Sequence, residues 1–223
     1  ALAICAPVAR PVFDPNRRMP LHYFANADTY MIHTFTNGGM TLRWFRDKFC
    51  QIEMQAQELG LDDAYNMISK EVSKVPAGSD GLVMLPHLAG SNAPDVNAKA
   101  KGVWFGFTLQ HTRAHFMRSV MESLGYIVKR NIDSLADMGI EVKEIRSLGG
   151  GSKSDVWNQI KSDICQIPLE TVNSIEAASL GAAILAGKAT GIFKNLNEAA
   201  ESMVQVKKRT LPNTDNKAVY EDG

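Results

Sequence analysis

The sequence predicts an α/β domain with a mixed sheet and helices on both faces. Alternating apolar segments at 1–9, 21–26 and 30–35 read as three strands of an antiparallel meander. From residue 82 onward, short apolar strands alternate with segments of helical period, the pattern of a layered α/β chain. Consecutive glycines stand at two strand-to-helix junctions, Gly38-Gly39 and Gly149-Gly150-Gly151. Glycine lets backbone approach a ligand closely, and a helix N-terminus offers unpaired N–H groups. Strand, glycine turn and helix start together suit a nucleotide. The same pattern also serves as a tight turn with close strand–helix packing.

The chain has 223 residues, 45% hydrophobic and 22% charged, enough to bury a core and too apolar for disorder. Lys plus Arg and Asp plus Glu both count 24, a balance that gives no argument for a nucleic-acid or membrane-surface partner. No stretch reaches the roughly 18 apolar residues that cross a bilayer. Cys5, Cys50 and Cys165 are odd in number and far apart, which predicts free thiols in a reducing cytoplasm. The first residue is alanine and a strand is already under way, so the chain reads as a piece of something longer.

Taken in order, Pro11, Pro15 and Pro20 mark residues 10–20 as a connector after the first strand. Asn26-Ala27-Asp28 is a turn between the second and third strands. A helix follows over Gly39 to Phe49, predicted to bury Leu42, Phe45 and Phe49. Asp62 or Asp63 caps a second helix running to about Val72. Residues 76–81 are a loop, Leu82 to Leu85 a short apolar strand, and residues 86–101 a long polar loop. Gly102 to Phe107 is strand-like.

Thr112 caps the longest helix, which carries an apolar stripe from Phe116 to Met138 and stops at Gly139. Residues 142–148 form a strand. Behind the three glycines, a helix to about Ile164 places Val156, Trp157, Ile160 and Ile164 on one face. Leu169 to Val172 is a strand. Asn173 and Glu176 suggest a capping box for a helix in which Ala178, Ala182 and Ala186 form a small face able to press on a neighbour. A last helix over about Leu196 to Val206 ends a core of residues 1–206, and residues 207–223 read as a loose polar tail.

Three of these stretches together resemble the C-terminal domain of the FGGY carbohydrate kinases, within the actin-like ATPase superfamily. Gly102-Val103-Trp104-Phe105-Gly106-Phe107, continuing through His115-Phe116 to Glu122, resembles one family signature. Leu148 to Trp157 resembles the adenosine-binding turn, and Glu176 to Ala183 the alanine-rich helix that follows it. Gly38 to Asp47 and Asn97 to Gly102 are similar to the xylulokinase branch.

The resemblance implies an RNase H-like nucleotide-binding lobe of a two-domain sugar kinase that uses ATP and Mg2+. It implies that the sugar-binding domain, with its Asp-x-Gly-Thr and catalytic aspartate, lies outside these residues, so no catalytic residue is assigned here. It implies nucleotide contacts at Gly39, Arg43, Gly149, Gly150, Gly151 and Ser154. Ser154 and Arg43 vary within the family, and Ser91-Asn92 stands where xylulokinases have Glu-Arg. A homodimer is compatible with it. An actin-like ATPase and a non-catalytic nucleotide-binding module are the alternatives.

His111 and His115 stand four apart, a spacing that can hold zinc, with no third ligand evident. Trp44, Trp104 and Trp157 are expected in the core more than against adenine.

Overall fold

The computed structural model describes residues 2–174 and 176–222. Three strands open the chain: β1 (Leu2–Val8), β2 (Leu21–Tyr23) and β3 (Tyr30–Thr36). They are antiparallel, but their order is β1-β3-β2 and not a meander. The proline-rich connector is too long for a hairpin, and β3 takes the centre because Ile32, Thr34 and Thr36 are its buried residues. Pairing of Ile32 with Ala6 and Leu21 puts these side chains on one face. The opposite face, with Ala3, Cys5, Pro7 and Phe35, is exposed, so helices do not cover both faces of this sheet.

Helix α1 (Gly39–Phe49) has the predicted bounds and buries Leu42 and Phe45, while Phe49 is 46% exposed. Helix α2 (Gln51–Glu58) was not expected. Helix α3 (Ala64–Val72) begins at Asp63, whose carboxylate accepts from the Tyr65 and Asn66 amides. Strands β4 (Val83–Leu85) and β5 (Val103–Phe105) form a separate two-stranded ribbon around the long loop.

Helix α4 (Arg113–Asp137) is the spine of the domain. Its Met117, Val120, Met121 and Leu124 meet Leu42 and Phe45 of α1 and Ile68 and Val72 of α3 in the main core. Its far end packs Leu135 against Ile32 and Met19. Strand β6 (Ile145–Ser147), helix α5 (Asp155–Cys165) and strand β7 (Leu169–Val172) follow.

Helix α6 (Ala177–Ala189) and helix α7 (Leu196–Met203) come next. The expected capping box is not formed: Asn173 instead accepts from the Gln205 amide and donates to the Met203 carbonyl. The small face of α6 does not press on a neighbour, since Ala178, Ala182 and Ala186 are exposed and Gly187 is the helix's buried residue.

The tail is not loose. It forms strand β8 (Val206–Thr210), antiparallel to β7, and helix α8 (Lys217–Asp222). The sheet β6-β7-β8 is mixed, with β6 and β7 parallel. The strands thus divide among three sheets and not one.

Helix α8 is anchored through Tyr220, 5% exposed, whose hydroxyl donates to Glu122 Oε1 at 2.9 Å and accepts from Arg118 Nη2 at 2.9 Å. Arg118 also donates to Glu122 at 2.7 Å and to the Val75 carbonyl at 2.9 Å. The Glu122 carboxylate closes the network by accepting from the Gly78 amide and the Ser79 hydroxyl. A buried charge pair needs such complete hydrogen bonding to be tolerated.

Candidate nucleotide site

The two glycine junctions are built differently. In the first, Gly38 has no room for a side chain, because a Cβ would fall 2.4 Å from that of Leu2. Gly39 opens α1 and a Cβ there would meet no protein atom within 4 Å. Arg43, one turn on, has its side chain 68% exposed, with Nε 3.6 Å from Asp47. The guanidinium retains donors for a ligand.

In the second junction, β6 does not run straight into α5. Gly149 has φ +77, a conformation that only glycine adopts readily, and Gly150–Lys153 then form one turn of 3-10 helix. Gly151 is required by packing, since a Cβ would lie 3.0 Å from the Trp157 ring. Gly150 has neither reason: its φ is not positive and a Cβ would meet nothing within 4 Å. Gly39 and Gly150, like Gly181 on α6, are positions where the chain's own conformation and packing leave the choice of glycine unexplained; these two stand at strand-to-helix junctions.

Ser154 is the N-cap of α5. Its hydroxyl accepts from the Trp157 amide at 3.2 Å and lies 3.0 Å from the Ser69 hydroxyl on α3. This side chain ties the helical layer α1–α3 to the start of α5. Trp157 is 8% exposed and donates to the Met121 carbonyl; Trp104 donates to Ser119 and stacks near Trp44. All three tryptophans serve the core, as expected from sequence.

The histidines are structural as well. His111 Nδ1 accepts from the Thr108 amide and His115 Nδ1 from the Thr112 amide. Each ring then keeps its proton on Nε2, which His111 directs to the Asp80 carbonyl and His115 to the Asp80 carboxylate. Sequence reasoning missed the ties beneath the glycine turn, made by Asn158 and Lys161; polar residues on a buried helix face are the signal that marks them.

The family model that describes the C-terminal domain of the FGGY family of carbohydrate kinases matches residues 7–190. The chain belongs to that family. This FGGY domain is 33% identical over 204 residues to a xylulose kinase of Staphylococcus epidermidis, which covers 90% of the chain and 39% of the relative. It is 33% identical over 220 residues to a gluconokinase of Bacillus subtilis, covering 98% of the chain and 42% of the relative. A ligand-bound xylulose kinase of Lactobacillus acidophilus superposes with a TM-score of 0.84 at 27% identity, over 99% of the chain and 43% of that structure. The FGGY domain thus spans about two fifths of the length of the curated relatives it matches. No described helix is long and apolar enough to cross a membrane.

Proposed function

We propose that the chain is the nucleotide-binding lobe, of RNase H-like fold, in an ATP-dependent carbohydrate kinase of the xylulokinase kind. The observation that carries the reading is the pair of glycines at two strand-to-helix junctions, Gly39 and Gly150, whose absent side chains nothing in the protein requires. Gly149 and Gly151 shape the second turn, Arg43 supplies a cation beside the first, and Ser154 fixes the start of α5. In this reading the two glycine turns hold the adenosine of ATP or ADP, and a second lobe brings the sugar and the aspartate that takes its proton. Phosphoryl transfer then depends on alignment and charge neutralisation more than on covalent chemistry. The xylulose kinase and the gluconokinase match equally well, so the acceptor is a sugar or sugar acid hydroxyl. A cytoplasmic setting fits the free thiols Cys5, Cys50 and Cys165. Among the described residues, no group of three or more His, Cys, Asp or Glu side chains is placed to hold a metal ion. The magnesium that accompanies ATP in such kinases would be held by the ATP phosphates with one or two carboxylates, and no residue of this chain is assigned to it.

Calorimetry with ATP and ADP on the 223-residue chain tests the reading. Weak and nearly equal binding of both is expected, because the γ-phosphate finds few partners in this lobe. Gly150→Val should weaken both, since a branched Cβ occupies the ligand's space. The chain alone should release no ADP with xylulose or gluconate, because positioning of the reacting groups supplies roughly 7–11 kcal/mol of barrier lowering. Unchanged nucleotide affinity in Gly150→Val would overturn the assignment.

A further inference from the structure

The second glycine turn is tied to α5 at both ends by side chains that contact no nucleotide in the reading above. Upstream, Lys161 Nζ donates to Ser147 Oγ at the end of β6, 2.9 Å away. Downstream, Asn158 Nδ2 donates to the Ser152 carbonyl at 2.8 Å. Lys161 is 9% exposed and Asn158 1%. Three residues apart on one helix, they share a face.

Neither side chain is fully satisfied. Asn158 Oδ1 is buried with no hydrogen-bond partner among the described residues. The lysine has three donors and Ser147 Oγ takes one, while its ammonium also lies 5.2 Å from the Trp157 ring centroid. A buried ammonium with so few partners, and an orphaned amide oxygen on the same helix, both lower stability. A local cost of this kind, concentrated under one turn, is the pattern of a site and not of a core.

We propose that Lys161 is a positioning residue for nucleotide binding. Through Ser147, and together with Asn158, it clamps the backbone of Gly149, Gly150 and Gly151 in the form that receives an adenine nucleotide. This inference rests on the nucleotide reading of the turn. Among the described residues no other cation bonds Ser147, and Lys153, in the turn itself, is exposed. Cys165, one turn further along α5, is neutral, its thiol pushed up to about 12 by burial. Strands β6 and β7 present Ser147 and Thr171 on this face, both uncharged. On β8, Lys208 is paired with Asp155, and on α4, Lys129 is paired with Asp133. Burial brings the Lys161 amine down to about 8, so its charge is lost within an accessible pH range.

The test compares Lys161→Met, Lys161→Arg, Ser147→Ala and Gly150→Val in the 223-residue chain, by calorimetry with ADP and by thermal denaturation. Lys161→Met should weaken ADP binding on the order of tenfold, the scale on which outer partners of a site act. Its Tm should stay at or above that of the unmodified chain, because an apolar side chain replaces a buried charge. Ser147→Ala should weaken ADP binding in the same direction, and Lys161→Arg should restore most of it. ADP affinity of the unmodified chain should fall as pH rises through about 8, and that fall should vanish in Lys161→Met. Loss of affinity and Tm in parallel, without the change in pH profile, would make Lys161 a packing residue and overturn the proposal. Weakened binding in Gly150→Val with normal binding in Lys161→Met and Ser147→Ala would overturn it too, and leave the nucleotide reading standing. Unchanged binding in Gly150→Val would remove the nucleotide reading and this inference together.

Discussion

Helices α4 and α6 are both rich in small or apolar residues, yet one organises the domain and the other lies on its surface. In α4, thirteen residues from Met117 to Leu135 are buried, including Arg118, Glu122 and Asn131. In α6, Gly187 is the buried residue, and Leu185 is 47% exposed. The difference is one of partners. Most of α4 meets other elements of the same chain: α1, α3, α5, the β4 strand and the 76–81 loop. Among the described residues α6 contacts chiefly α7. Helical period reports that a face is apolar; it does not report whether anything in the same chain covers it.

The contrast is open to measurement by urea denaturation. The largest effect is expected for Glu122→Ala, which leaves the Arg118 guanidinium buried beside unpaired Gly78 and Ser79 donors. A loss of about 3–5 kcal/mol is expected when one partner of a buried pair is removed. A loss under about 1 kcal/mol, the scale of surface pairs, would mean that this network is solvated and α4 is not the dry spine described. Gly125→Ala should follow, at about 1–3 kcal/mol, because the new Cβ falls 2.6 Å from Ile164 Cδ1 and forces the α4–α5 seam to repack. Tyr220→Phe keeps the ring in the core and removes one donor and one acceptor, which should cost about 1–2 kcal/mol. Ala182→Leu on α6 should change stability by no more than about 0.5 kcal/mol, the usual range for an exposed position. Equal costs at Gly125 and Ala182 would erase the distinction between the helices.

Legibility in the sequence followed the source of each element's stability. Helix α1 and strand β7 were readable to the residue, because glycine, apolar period and short apolar run are local signals. The Asp63 cap and the Gly139 stop were readable for the same reason. Helix α2 was not, because Glu53 is its buried residue and the partner, Arg113, lies 60 positions away at 2.9 Å. Strand β8 was not, because Val-Lys-Lys-Arg-Thr looks like a solvated charge run until its backbone pairs with β7.

At the candidate site, the presence of a glycine turn was legible and its division of labour was not. Gly149 answers to a dihedral angle, Gly151 to the Trp157 ring and Gly150 to neither. Those are facts of three-dimensional placement. The same holds for Lys161, whose spacing places it on the buried face of α5 without naming its partner, Ser147.

The Tyr220 anchor has a consequence for the order in which the domain can be completed. Its hydroxyl satisfies Arg118 and Glu122 across 102 and 98 positions of sequence. While the chain grows from its N-terminal end, α4 emerges with two charged side chains aimed into the core and their third partner still to be made. Until residue 220 is free to dock, the interval between Val75 and Glu122 holds an incomplete polar cluster, a state that favours delay over early compaction. Helix α8 therefore completes this cluster late in synthesis, and without residues 217–222 Arg118 and Glu122 each lack the Tyr220 partner that the folded domain gives them.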